Sequence, residues 1–312
     1  MITDLGSEAK EYGHQALRAF EAAGGDALVQ RAEADPTARE ALVGPVLADL
    51  GAWELEPRSD PDQLEAAAAL CRSAGYWALP YPVAERLSRT DGDGLIVVAD
   101  TRPSGAVAGV DVNWGAVTLD GRRSSAVAIG DQERGFVTRL ALTAKDGPSV
   151  DGTSDLPVAL VLPCWTLLGM LDRAIELTIA HVRMRQQFGQ PLSAFQSVQF
   201  QLTDAEVERA GLEMLAKYAT WSAAESRADA VDDALALRMA ALEAAEIVFR
   251  VTHQLHGAVG FCDETTLSWL SRYSQPLRRL PLGLSATRAH LTDALGARGL
   301  TGLYGEAREV VS

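Results

Sequence analysis

The period of the apolar positions changes twice along this chain. Up to about residue 88 it is helical. Leu42, Val46, Leu47 and Leu50 fall on one side of a helix and should face a core, and Leu64-Glu65-Ala66-Ala67-Ala68-Ala69-Leu70 is a strong helix former. Gly24-Gly25, Pro36, Pro57, Pro61, Pro80 and Pro82 divide this stretch into short helices. From about Leu95 to Val150 the apolar residues come in short β-type runs: Leu95-Ile96-Val97-Val98-Ala99, Ala116-Val117-Thr118-Leu119, Ser125-Ala126-Val127-Ala128-Ile129 and Arg139-Leu140-Ala141-Leu142-Thr143. Gly, Asp and Pro separate them, which predicts a small antiparallel β unit. Gly105 and Gly109 read as turn glycines, because no helix follows closely enough to make a phosphate loop. From about Leu156 the pattern is helical again. Val198, Leu202, Ala205, Leu212, Leu215 and Ala219 keep one stripe, with Glu206, Glu208, Glu213 and Lys217 off it. The next helix, about 230–255, is apolar on two faces. The pair reads as the third and fourth helices of a C-terminal four-helix bundle. The predicted architecture is mainly α with a small middle β domain: helical 1–92, β 93–154, helical bundle 155–312.

Composition narrows the classes. The chain has 312 residues, 47% apolar and 22% charged, so it can bury a large core and is not a disordered polyelectrolyte. The longest apolar run, Leu156 to Leu171, is broken by Pro157 and Pro163 and falls short of the roughly 18 residues of a membrane span, so no membrane insertion is expected. Met1-Ile2-Thr3-Asp4 shows no basic or apolar leader. Cys71, Cys164 and Cys262 are unevenly spaced without a CxxC, which suits reduced thiols and a cytoplasmic location. A net charge of −14 argues against nucleic acid as a partner. An anionic ligand would need local cations, and Arg183 with Arg185, or Arg272 with Arg278 and Arg279, are the candidates. His253 and His256 lie one helical turn apart with no further ligand near them in sequence, which favours structural histidines over a metal site.

Two motifs carry the chemistry. The first is Arg185-Gln186-Gln187-Phe188-Gly189-Gln190-Pro191-Leu192, followed by Phe195-Gln196-Ser197-Val198-Gln199. It reads as a helix ending in Arg183 and Arg185, a break at Gly189 and Pro191, and a second long helix. A guanidinium fork suits a phosphate or diphosphate, and an aromatic ring beside it suits a flat heterocycle. The second is Gln254-Leu255-His256-Gly257-Ala258-Val259-Gly260-Phe261, then Glu264 and Arg272. Its glycines allow close backbone approach.

R-x-x-F-G-x-x-L-x-x-F-Q-x-V-Q followed by Q-x-x-G-A-x-G-F resembles the paired signatures of the acyl-CoA dehydrogenases, with Ala258 replacing a glycine. The resemblance covers roughly residues 157–300 and is weak before that. It implies FAD as cofactor and a fold of helical, β and helical-bundle domains, here with a shortened first and a reduced second domain. It implies that a carboxylate takes the α proton of an acyl-CoA thioester and that the flavin takes the β hydride. Among cofactor contacts it implies Arg185 at the diphosphate, Phe188 packed on the cofactor, and Phe195, Gln196, Gln254, Leu255, His256, Gly257 and Ala258 along the adenosine end. In the family these elements reach across a dimer interface to the partner's FAD.

The departures are equally informative. The usual catalytic Glu position falls on Pro281, and the alternative, near Leu160, has no acid between Asp155 and Asp172. The T-E-P-x-x-G-S-D-like loop and the Trp-Ile-(Ser/Thr) strand that hold the flavin ring are missing, since Trp114 is followed by Gly115. No catalytic residue is therefore assigned to this chain. It keeps what serves a partner and lacks what serves itself. That pattern resembles the base-less subunit of the actinobacterial α2β2 heterotetramers that act on steroid side-chain CoA esters. The implied partners are a second, similar subunit carrying the catalytic Glu, and an acyl-CoA. The alternatives are a homomeric dehydrogenase with a non-standard base and a non-catalytic scaffold.

Overall fold

The computed structural model describes residues 4–100, 104–107, 110–129, 138–143 and 151–298. The N-terminal residues 1–3 and Gly109, read above from sequence, lie outside these. Five helices open the chain: α1 (Ser7–Ala22), α2 (Asp26–Ala34), α3 (Arg39–Asp49), α4 (Pro61–Tyr76) and α5 (Val83–Leu87). Their limits follow local chemistry. Gly25 (φ +51°) turns the chain between α1 and α2 where a Cβ would lie 2.8 Å from the Trp77 ring. Asp60 caps α4 by accepting the Asp62 N–H at 2.9 Å, and Pro61 fills the first turn. Val43 and Leu47 are the fully buried apolar side chains of α3, with Leu42, Val46 and, just past its end, Leu50 half-buried against them.

The middle region is a five-stranded sheet of β1 (Gly94–Val98), β2 (Ser104–Val107), β3 (Trp114–Thr118), β4 (Arg123–Ile129) and β5 (Thr138–Thr143), in the order β1-β3-β4-β5-β2. It is not wholly antiparallel as expected: β1 and β3 pair in parallel, Gly94 opposite Trp114. A parallel pair needs a connection longer than a hairpin, and β2, which falls between β1 and β3 in the chain, lies on the opposite edge of the sheet. β2 holds Gly105 and is too short and glycine-bearing to announce itself in sequence. β1 is buried along its whole length, which explains its unbroken apolar run.

Asp155 ties the three regions together. Its buried carboxylate accepts Nε and Nη2 of Arg123 on β4 at 2.6 and 2.9 Å, and Nη1 of Arg58 before α4 at 2.9 Å. Beyond it run α6 (Leu156–Met184), α7 (Gln196–Ala224), α8 (Ala230–His256), α9 (Thr266–Arg279) and α10 (Leu284–Arg298). Pro157 sits in the first turn of α6, where no amide donor is missed, and the helix continues through Pro163. The prolines therefore do not break it. α6 is long and apolar enough to cross a membrane, and 78% of that stretch is buried inside the protein, as the central helix of the bundle. Because α6 is one helix, α7 and α8 are the second and third helices of this region, not the third and fourth. On α7, Val198, Ala205, Leu212 and Ala219 are buried, but Leu215 departs from the stripe and is 41% exposed.

α4 and α6 cross on two glycines. A Cβ at Gly75 would lie 1.9 Å from the Thr166 carbonyl oxygen, and one at Gly169 would lie 1.9 Å from that of Arg72. Beside this seam Arg72 donates to Asp172 through Nε (2.7 Å) and Nη2 (3.2 Å) and to Glu213 of α7. The N-terminal helices are thus locked onto the bundle by close backbone packing and by charge.

Candidate functional site

The first motif is a β-hairpin, not a simple helix break. α6 ends at Met184, five residues before Gly189, and Arg185 is already extended (φ −73°, ψ 121°). Two-residue strands follow, β6 (Gln186–Gln187) and β7 (Gln190–Pro191), with Gln187 paired to Gln190. The tip is Phe188-Gly189, both left-handed at φ +51° and +80°, as a primed two-residue hairpin turn demands. The Leu192 N–H donates to the Arg185 carbonyl at 2.8 Å and closes the loop. Glycine suits such a turn, but a bulky aromatic at positive φ is strained. At the tip of this turn Phe188 is 92% exposed, edge-on to Phe195 with centroids 6.3 Å apart.

Helices α6 and α8 end on the same side of the bundle, and two histidines join those ends. His181 of α6 stacks on His256 of α8, centroids 4.3 Å apart and planes 21° apart. His256 Nδ1 lies 2.9 Å from the Thr252 carbonyl and 3.5 Å from Thr178 Oγ1. His253 stacks on Phe261 in the same way at 4.3 Å. Burial holds all three imidazoles below the ordinary histidine range, and Arg185 adds to the effect on His181. They are neutral at pH 7. Among the described residues no group of three or more His, Cys, Asp or Glu could hold a metal ion. His181 was not singled out in the sequence, although it lies in the last turn of α6, four residues before Arg185.

Around this stack the structure brings together most of the predicted contacts. Arg183 and Arg185 are exposed, and neither makes an ion pair with a described residue. Gln196 is exposed in the first turn of α7, whose N-cap, Phe195, offers no side-chain acceptor. Gln254 and Ala258 are exposed, and Gly257 turns at φ +63° with nothing within 4 Å of a Cβ placed there. Leu255 differs: it is 8% exposed and packs in the core. Arg272 is also elsewhere, paired with Asp263 at 2.9 Å and lying over the Trp269 ring.

The same end is unusually apolar at its surface. Met184 (79% exposed), Phe188, Phe200 (60%) and Phe261 (68%) project from the corner, the start of α7 and the turn after α8. A groove of about 420 Å³ between α6 and α7 runs beside them, with Arg183, Ser193 and Gln199 on its rim. The donor set suits the phosphate half of a dinucleotide: unpaired guanidinium for diphosphate, amides for base and ribose edges, open glycine backbone, and a projecting ring. It fits FAD laid across the surface.

A second locus lies inside the molecule. Leu160 of α6 and Pro281 after α9, the two positions where sequence reasoning sought a carboxylate, line one cavity with Glu85, Leu95, Arg238 and Leu277. Its interior space is about 30 Å³, enough for roughly two waters.

Residues 155–281 match the family described as "Acyl-CoA dehydrogenase, C-terminal domain". FadE28 of Mycobacterium tuberculosis, an acyl-CoA dehydrogenase, is 33% identical over 130 residues, 42% of this chain and 37% of that protein's length. Among solved structures, the ChsE4-ChsE5 complex from Mycobacterium tuberculosis superposes with a TM-score of 0.74 at 17% identity, covering 95% of this chain and 99% of the other. The Tcur3481-Tcur3483 steroid ACAD (G363A variant) gives 0.74 at 22% identity, covering 94% and 99%. PigA with FAD and proline gives 0.73 at 15%, covering 96% and 100%. Such identities speak for the fold alone. FAD is the cofactor of this family. The chain has the acyl-CoA dehydrogenase fold, and its residues 155–281 match the family's C-terminal domain.

Proposed function

We propose that this chain is a subunit of a heteromeric, FAD-dependent acyl-CoA dehydrogenase, in which it holds the ADP half of a flavin seated mainly in its partner. Bound FAD supplies the hydride acceptor. Arg185 binds the diphosphate, Phe188 packs on the cofactor, and Gln196, Gln254, His256, Gly257 and Ala258 line the adenosine end. The partner supplies the catalytic Glu, since Pro281 and Leu160 stand at the two usual positions. The assembly is an α2β2 heterotetramer of the cytoplasm, and its substrate is a steroid side-chain CoA ester. Two of the structural neighbours support this, one a two-protein complex and the other a steroid ACAD.

One observation carries the reading. The unpaired Arg185 and the strained Phe188 face solvent within an exposed apolar surface, so they form half of a site whose other wall is another chain. The test is to purify the chain alone and with its partner. The chain alone should retain no stoichiometric FAD, and the complex should be yellow. Stoichiometric flavin on the isolated chain would overturn the proposal.

A specific observation favours a second reading, a dehydrogenase with its own non-standard base: Glu85 is a carboxylate in the cavity that Leu160 and Pro281 share.

A further inference from the structure

The stacked histidines stand where two helices end beside an exposed cation. His181 lies in the last turn of α6 and His256 in the last turn of α8. Their rings are 4.3 Å apart and within 21° of parallel. His256 Nδ1 is 2.9 Å from the Thr252 carbonyl oxygen, which can only accept. Nδ1 therefore carries the ring proton, and Nε2 is left as the basic atom. The His181 ring makes no hydrogen bond to a described residue. The Arg185 backbone N–H donates to the His181 carbonyl at 2.8 Å, so the guanidinium and this imidazole leave the same turn of chain.

We infer that His181, stacked on His256, is a second cationic contact of the diphosphate site, and that the pair takes up one proton from solvent when a nucleotide diphosphate binds. The inference rests on the assignment of Arg185 to the diphosphate. It adds to that site a residue outside both sequence motifs, and it makes nucleotide binding depend on pH.

Both imidazoles sit at helix C-termini, where the peptide dipoles favour a cation. Without ligand they are nevertheless neutral. Burial disfavours their charged forms, Arg185 repels a charge on His181, and His181 and His253 repel one on His256. These are the charged and titratable groups that act on the pair. Residues 192–203, which lead into α7, and residues 257–262, which follow α8, carry no charge. A diphosphate at Arg185 offsets the repulsion on His181 and brings an anion to the ring. One imidazole then holds a proton and the neutral one keeps the stack. A second proton is disfavoured, because like charges 4.3 Å apart oppose each other. Linkage is reciprocal. A ligand that draws in one proton binds more tightly as pH falls through the titration of the pair, by up to about tenfold per pH unit.

The test uses ADP on the full chain and FAD on the assembled complex. Histidine-ring NMR between pH 5 and pH 8 follows the pair directly. With ADP, one of the two stacked rings should titrate at higher pH than without it, while His14 on α1 and His290 on α10 should not respond. Calorimetry of ADP binding in two buffers of different ionisation enthalpy should show uptake of up to one proton. His181→Asn should bind ADP as the wild type does at pH 8, and about tenfold more weakly at pH 5.5, with the proton uptake abolished. Equal weakening at every pH would show a packing role only and would overturn the inference. So would wild-type binding without proton uptake. Arg185→Ala separates the two readings, since ADP affinity should fall at every pH. A fall in that variant with no proton uptake in the wild type overturns this inference and leaves the Arg185 assignment standing. Unaltered affinity in Arg185→Ala, or no binding of ADP to the chain and of FAD to the complex at any pH, overturns both.

Discussion

Phe188 is where local preference and the fold disagree most openly. An aromatic residue in the left-handed region costs about 1–2 kcal/mol relative to a residue at ease there, and at 92% exposure its ring recovers little by burial. Natural sequences keep such conflicts where a site needs them. Phe188→Asn would give Asn-Gly, the pair best suited to this turn. We predict that the variant of the isolated chain melts at or above the wild-type temperature, while the assembled complex loses flavin. A clear fall in melting temperature would mean that Phe188 packs the corner instead of serving a ligand. Arg185 permits a complementary test. Its removal should cost about 1.5–3 kcal/mol of FAD binding, roughly ten- to a hundredfold. The expected result for Arg185→Ala is a complex that assembles but is flavin-poor, with chemistry on the remaining bound flavin little changed. Unaltered flavin content would make Arg185 only the end of a helix.

At the scale of elements, the long helices were legible because their apolar stripes outlast any single exception: about 230–255 was expected against Ala230–His256 observed. The failures have local causes. Pro163 looked like a break, yet one lost amide bond is tolerated in a helix as deeply packed as α6. The corner at 185–192 looked like a helix stop because its glycine and proline are shared by both structures, and two-residue strands carry no periodicity. Leu255 followed a motif in sequence but faces the core. Nothing in the sequence places Glu85 beside Leu160 and Pro281, because three distant elements must pack first. The α4–α6 seam offers a test of that packing. Gly169→Ala puts a methyl group 1.9 Å from the Arg72 carbonyl oxygen, so the helices must separate. We expect a loss of about 3 kcal/mol or more, at or beyond the upper end of overpacking. Gly211→Ala on α7, where nothing lies within 4 Å, should instead gain about 0.5–1 kcal/mol. Urea denaturation of the isolated chain measures both, and equal effects would show that the seam is looser than described.

Over the whole molecule, one charge network binds regions that are distant in the chain. Glu213 of α7 receives Arg72 of α4, Arg209 and Lys217, and Lys217 also reaches Asp4 ahead of α1 at 2.9 Å. Burial raises the Glu213 carboxyl, but Lys217, Arg209 and Arg72 outweigh it and bring the value from 4.5 down to about 2. A depressed acid contributes stability above its unfolded value, and that contribution is lost as pH falls from about 4.5 towards 2. Taken in full the shift would correspond to about 3 kcal/mol, and solvent screening of this half-exposed network reduces it to about 1–2 kcal/mol at neutral pH. Other groups titrate as well. The half-buried histidines withdraw stability as pH falls below 6.5, while Glu85 restores it as pH falls from 7, so the wild-type profile alone does not isolate Glu213. The difference between wild type and Glu213→Gln at each pH does. We predict that the variant is destabilised by about 1–2 kcal/mol at pH 7, because three cations lose a shared partner while keeping others. The gap should narrow steadily below pH 4.5, when the wild-type carboxylate is itself being protonated. Chemical denaturation at fixed ionic strength from pH 7 to pH 3 provides the measurement. A gap that stays constant over this range would show that Glu213 acts through packing alone, and that the N-terminal helices are held to the bundle by their glycine seam and not by charge.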